Sequence, residues 1–183
     1  GAQPTPAVRK LIKIAEAHAN GADLLSLVPN IRAAIWGLET NYGADGSGGR
    51  SILRSLATLA YDCRRPQFFQ NELLNALHII ERGDMTAAQL RGGWAGEIGP
   101  MQFLPSSYLK YAVDFDGDGR RDLVHSVPDM LASTANYLKG YGWQPRQGWE
   151  PGSANFAVIK EWNKAEVYAR TIAVVAARIA DGR

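Results

Sequence analysis

The chain has 183 residues, a formal net charge of +2 and a single cysteine, Cys63, with a pI of about 8.7. That length suits one domain with a sizeable core. The mild charge gives no support to a nucleic-acid partner, one thiol excludes an internal disulfide and a thiolate metal centre, and no apolar run reaches membrane-spanning length.

Helical periodicity dominates, and no alternating strand or internal repeat interrupts it. Val8, Leu11, Ile12 and Ala15 form one stripe. Ile31, Ala34, Ile35 and Leu38 form a second, just after Pro29-Asn30, which marks a helix start. Phe69, Leu73, Leu77 and Ile80 form a third, opened by Pro66 and closed near Gly83. Ser126-Val127-Pro128 opens a helix running toward Gly140, and Tyr168, Ile172, Val175 and Ile179 make the last stripe. Core packing accounts for all of them. Between them lie loops too rich in glycine to continue a helix: 41–50, 91–101, 114–122 and 140–152. Long irregular segments of this kind carry function or motion. The first four residues, Gly1-Ala2-Gln3-Pro4, look like either a trimmed start or a mature end, and both are compatible with an export signal that was removed.

Glu39 follows directly on Leu38 and precedes Thr40-Asn41-Tyr42-Gly43. A carboxyl at a helix C-terminus meets the negative pole of the dipole, and Trp36 and Leu38 are apolar neighbours. Both influences disfavour the anion, as a glycosidase acid requires if it is to deliver a proton near neutral pH. The plain alternative is a solvated glutamate that closes a helix. Glu97, in the loop 91–101, is the rival acid, and its own plain reading is a loop carboxylate paired with an arginine. His18 and His78 have no metal-ligand spacing, and Cys63 has no nearby histidine to activate it.

Asp114-Phe-Asp-Gly-Asp-Gly-Arg-Arg-Asp122 reads as a calcium loop of EF-hand type. Asp114, Asp116 and Asp118 fall at its first, third and fifth positions and Gly119 at the sixth, where a sharp turn is needed; Arg120 offers a backbone carbonyl and Asp122 stands at the ninth. The twelfth position is His125, so the usual closing glutamate is missing there.

The segment Ala34-Ile-Trp-Gly-Leu-Glu-Thr-Asn-Tyr-Gly43 resembles the catalytic-glutamate segment of the membrane-bound lytic transglycosylase B family. Four more blocks follow in family order: 56–65, ending in Arg64-Arg65; 92–108, a Gly/Gln substrate loop; 112–119, the acidic loop; and 135–143. Each motif alone is weak, whereas the ordered set, spanning about 31–180, is specific. The resemblance implies a mainly α, lysozyme-like helical domain with long loops and an EF-hand-like calcium loop, the whole of 1–183 forming one catalytic domain.

It implies Glu39 as acid and then base, acting on peptidoglycan glycan strands in the periplasm or cell envelope. It also implies Arg64, Arg65, Gly93, Gln102, Tyr137, Asn163 and Tyr168 as substrate-facing residues. A structural calcium would be held by Asp114, Asp116, Asp118 and Arg120, with Asp129 supplying the closing carboxylate. One carboxylate suffices on this route, because the substrate's own N-acetyl group or 6-hydroxyl replaces an external nucleophile. A membrane anchor or wall-binding domain would lie outside this chain. Two departures stand out. Gly93 occupies a place where the family has a serine, and Trp162 one where it has a tyrosine. The competing readings are a hydrolytic muramidase and a calcium-dependent, non-catalytic wall-binding module. An EF-hand sensor would need paired loops and a closing glutamate, and has neither.

Overall fold

The computed structural model describes residues 29–44, 49–62 and 64–181. The expected stripe from Val8 to Ala15, together with His18, Asp45 and Cys63, lies outside the described residues. Within them the architecture is mainly helical: α1 (Pro29–Thr40), α2 (Ile52–Tyr61), α3 (Pro66–Glu81), α4 (Pro105–Tyr111), α5 (Val127–Gly140), α6 (Ala154–Trp162) and α7 (Glu166–Ala180). A minimal antiparallel ribbon joins β1 (Arg50–Ser51) to β2 (Arg91–Gly92), with Arg50 opposite Gly92. Two-residue strands are too short to show an alternating pattern, which is why the sequence displays none.

The helix starts follow local chemistry. Pro29 opens α1 and Pro66 opens α3, at positions where a missing N–H costs nothing. Ser51, Ser126 and Ser153 cap α2, α5 and α6, each accepting a backbone N–H of the first turn. Helix α1 stops because Asn41 and Tyr42 both turn left-handed, at φ 49° and 58°. The Tyr42 N–H then reaches back to the Trp36 carbonyl at 3.3 Å. Gly37 permits this closure: a Cβ there would lie 2.7 Å from Tyr42 Cζ.

Helix α1 packs against α7, α2 against α3, and α3 against α4. The core includes Ile31, Ala34, Ile35, Ile52, Leu56, Ile79, Leu131, Leu138, Ile159 and Ile172, all essentially inaccessible. Two stripes rotate from their expected faces. On α3 the buried residues are Phe69, Glu72, Ala76 and Ile79, while Leu77 is 47% exposed. Glu72 sits on the buried face because its carboxylate accepts both the N–H and the hydroxyl of Ser106 at the start of α4, at 2.9 and 2.7 Å. On α1, Leu38 is 39% exposed. The core there takes Trp36 instead.

Candidate active site

Glu39 is the penultimate residue of α1, half-buried, at an end that cannot swing freely. Next to it the Thr40 hydroxyl donates to the Pro100 carbonyl at 3.0 Å and accepts the Gly43 N–H at 3.2 Å. The helix end is thereby tied to the loop carrying Glu97 and Gln102. Two donors converge on one oxygen of Glu39. The Trp162 indole N–H meets Oε1 at 3.1 Å, and the Tyr168 hydroxyl donates to the same atom. The other oxygen, Oε2, has no hydrogen-bond partner among the described residues. A carboxyl held in this way is oriented through Oε1 and keeps Oε2 for exchange with a ligand.

Burial pushes the Tyr168 hydroxyl well above the ordinary tyrosine range, and the Glu39 charge pushes it further. Tyr168 therefore stays a proton donor throughout the physiological range. Trp162 is aimed by aromatic packing: Phe103 and Tyr137 meet it edge-on, with ring centroids 5.3 and 4.9 Å away. Tyr137 is in turn anchored by its hydroxyl to the Glu161 carbonyl at 2.8 Å.

Glu39 opens onto a cavity of about 270 Å³ that is also lined by Glu97, Gln102, Tyr137, Trp162 and Asn163. Gln102 sits at φ 56° and is braced by its side-chain N–H on the Gly99 carbonyl at 2.9 Å. Asn163 caps the end of α6, its Oδ1 accepting the Ala165 N–H at 3.0 Å.

Gly93 lies beneath Glu97: a Cβ built on it would fall 2.2 Å from Glu97 Oε2 and 2.9 Å from Gln102 Oε1. The volume of a side chain at position 93 is thus taken by the Glu97 carboxylate. Glu97 Oε2 also accepts the Ala95 N–H at 2.9 Å. Among the described residues no arginine pairs with Glu97, contrary to its plain loop reading.

Gln102, Tyr137 and Asn163 thus line the cavity at Glu39, Tyr168 bonds to Glu39 itself, and Gly93 lies against Glu97 and Gln102. Arg64 and Arg65 do not line this cavity. Arg64 forms an exposed ion pair with Asp62 at 2.9 Å, and the Arg65 guanidinium lies 5.3 Å from the rings of Phe68 and Phe69. Trp162 is the partner of Glu39 that sequence reasoning passed over, treating it only as a substitution beside Asn163. The distance of 123 residues to Glu39 hides the bond. Leu38, expected to supply an apolar neighbour to Glu39, is 39% exposed, and the contacts that Trp162 and Tyr168 make with Glu39 are hydrogen bonds.

The acidic loop lies between α4 and α5. Asp114, Asp116 and Asp129 each present an oxygen within 4.8 Å of the others. Asp129, in the first turn of α5, is fully buried and closes the loop by accepting the N–H groups of Phe115, Asp116 and Asp122. Burial raises its carboxyl above the usual range, and the charge of Asp116 adds to this against the backbone donors. Asp114 accepts the N–H groups of Gly117 and Gly119, both at positive φ. Asp118 turns toward the Arg120 N–H at 2.8 Å and stands outside the three-carboxylate group.

Residues 25–153 match the family model for the transglycosylase SLT domain. The chain is 42% identical over 116 residues to membrane-bound lytic murein transglycosylase B of Escherichia coli K12, covering 63% of this chain and 32% of that protein. The chain therefore spans about a third of the length of that curated relative. Its fold superposes on Pseudomonas aeruginosa SltB3 in complex with NAG-NAM-pentapeptide at a TM-score of 0.81 and 32% identity, covering 96% of this chain and 61% of that one. The Escherichia coli lytic transglycosylase Slt35 in complex with calcium matches at 0.76 and 26%, covering 95% of this chain and 75% of that one. The helical fold is that of these lytic transglycosylases. With its glutamate at a helix end over a polar cavity, and a family match that takes in Glu39, Glu97, Gln102 and Tyr137, the chain belongs to the transglycosylase SLT domain family.

Proposed function

We propose that this chain is the catalytic domain of a lytic transglycosylase. It cleaves the β-1,4 bond between N-acetylmuramic acid and N-acetylglucosamine in peptidoglycan and leaves 1,6-anhydromuramoyl ends. The observation that carries this reading is the free Oε2 of Glu39 over a cavity lined by hydrogen-bonding side chains, with Oε1 held by Trp162 and Tyr168. Glu39 protonates the glycosidic oxygen as the bond to C1 breaks. The resulting carboxylate then takes the proton of the muramoyl 6-hydroxyl as that oxygen closes onto C1, so the acid is regenerated and no water is consumed. Gln102, Tyr137 and Asn163 offer hydrogen bonds to the sugars. SltB3 was crystallised with NAG-NAM-pentapeptide, a substrate fragment of this class.

A second reading rests on Glu97. Two carboxylates on one cavity are the usual equipment of a glycoside hydrolase, which releases ordinary reducing ends. Mass spectrometry of digested glycan strands separates the two. We expect products that end in 1,6-anhydromuramic acid, and products with only reducing muramic ends would establish the muramidase.

Asp114, Asp116 and Asp129 fit a structural calcium, since they gather three hard oxygens around a turn. Asp118 and the Arg120 carbonyl are the remaining donors of this EF-hand-like loop. Bound calcium would neutralise the cluster. Peptidoglycan lies in the cell envelope, so we place the chain there, as an exported or periplasmic domain. No helix among the described residues is long and apolar enough to cross a membrane.

A further inference from the structure

Beyond the cavity at Glu39 the molecule carries a second groove, of about 620 Å³, that no part of the mechanism uses. One wall is the outer face of α2, where Arg54, Ser55 and Thr58 follow one another at helical spacing. Arg50 and Arg91, from the two strands of the ribbon, add two more guanidiniums, and Trp94 stands at the margin, 67% exposed. None of the lining residues is acidic. Among the described residues no carboxylate pairs with Arg50, Arg54 or Arg91; the only side-chain bond of the three is from Arg91 Nε to the Ala88 carbonyl at 3.1 Å.

Such a collection of charge is poorly explained by folding. Three cations share one groove with no carboxylate partner among the described residues, and a bound anion would lower their mutual repulsion further than solvent screening does. Arginine forks suit carboxylates in particular, which they engage through paired N–H groups. The Ser55 and Thr58 hydroxyls and the indole N–H of Trp94 offer neutral partners for amides between such carboxylates. The large, exposed Trp94 ring offers an apolar face beside the charges.

The groove adjoins the cleft through one short stretch of chain. Gly93 packs against Glu97 and Gln102, which line the cavity, and the next residue, Trp94, lines the groove. A glycan strand seated at Glu39 would therefore place its side branches within reach of the arginines. The branch that carries carboxylates is the peptide joined to the muramoyl lactyl group.

We propose that Arg50, Arg54, Arg91 and Trp94 form a subsite for the anionic peptide stem of the glycan strand. It is distinct from the sugar-binding cavity and gives the domain a preference for strands that bear free stem carboxylates. This rests on the peptidoglycan reading above.

The test is a binding titration of the whole chain with a soluble disaccharide pentapeptide, in its native form and with the peptide carboxylates converted to amides. Arg54→Ala and the double variant Arg50→Ala, Arg54→Ala are compared with wild type. Each arginine removed should weaken binding of the native ligand roughly two- to fivefold, as expected for an exposed ion pair. The loss should shrink with added salt. Amidation should weaken wild-type binding by a similar factor and weaken the double variant, which keeps only Arg91, distinctly less, because ligand and protein changes remove the same contacts. Equal affinity of wild type and both variants for the native ligand overturns the proposal, and so do losses that persist undiminished on the amidated ligand. The arginines are exposed, so the variants should fold, and a melting curve checks that they do. Failure of the catalytic reading appears separately, as absence of anhydro ends in wild-type digests.

Discussion

At the scale of single residues, Trp162 and Tyr168 hold one oxygen of Glu39, and no described residue bonds to the other. On the function proposed above, that arrangement separates orientation from proton delivery. Glu39→Gln should keep the fold and lower turnover by about 10²–10⁴, the usual worth of a general acid. Steady-state kinetics beside a melting curve would show this, and wild-type turnover would remove Glu39 from its role. Glu97→Gln measured alongside should lose far less, and an equal loss would favour the two-carboxylate hydrolase. Gly93 and Glu97 behave as one unit, because the carboxylate fills the space of the absent side chain. Gly93 is not among the positive-φ glycines, so Gly93→Ser should fold while displacing Glu97. Its kcat/KM should fall, and Glu97→Ala added to it should cost nothing further. A double-mutant cycle should then report a coupling of about 1 kcal/mol or more, and simple additivity would contradict the steric account.

At the scale of elements, the acidic loop and the start of α5 form one device. Asp129 belongs to the helix, yet its carboxylate gathers three N–H groups of the loop. With its carboxyl raised in the folded state by burial, the metal-free protein holds that proton more tightly than the unfolded chain does. Its contribution is therefore fully present below the ordinary aspartate range and is lost as pH rises through the raised folded value. Bound calcium would oppose the loss by holding the charged form. The gain in melting temperature on adding millimolar calcium should consequently grow as pH rises from about 4, the unperturbed aspartate value, through the raised folded value. A hundredfold excess over Kd corresponds to about 2.7 kcal/mol. Magnesium should do less, since it demands a tight octahedron. Asp116→Ala should reduce the calcium effect, and a melting curve that calcium leaves unmoved at every pH would make the loop a simple turn.

At the scale of the whole molecule, the catalytic arrangement depends on helices that are distant in the chain. Helix α1 supplies Glu39, α7 supplies Tyr168, and the two pack against each other through a fully buried interior that includes Ile35 and Ile172. Ile172→Ala should therefore cost about 2–5 kcal/mol of stability, the range for large-to-small changes in a core. Urea unfolding would measure the loss. Turnover at a temperature where the variant stays folded should also fall, because Tyr168 lies four residues away on the same helix. Unchanged stability would mean that the α1–α7 contact yields without penalty.

Much of this molecule was legible before any coordinates. Apolar spacing located α1, α3 and α7, the start signal Ser126-Val127-Pro128 located α5, and an ordered series of motifs pointed to the family and to Glu39. These features are local, or depend only on the order of local segments, so one-dimensional reading reaches them. Helices α2, α4 and α6 were less visible; α4 and α6 are seven and nine residues long and scarcely repeat their period. The outward faces of Leu38 and Leu77 could not be read either, because packing, not periodicity, decided which side met the core. The same holds for the site. The family resemblance could nominate Glu39, Gln102 and Tyr168, but only tertiary structure brought Trp162 onto Glu39, set Glu97 into the space above Gly93 and left Arg64 and Arg65 outside the cavity. The reason is physical: a hydrogen bond between residues more than a hundred positions apart leaves no trace in the residues between them, and exists only once the buried helices have fixed both ends.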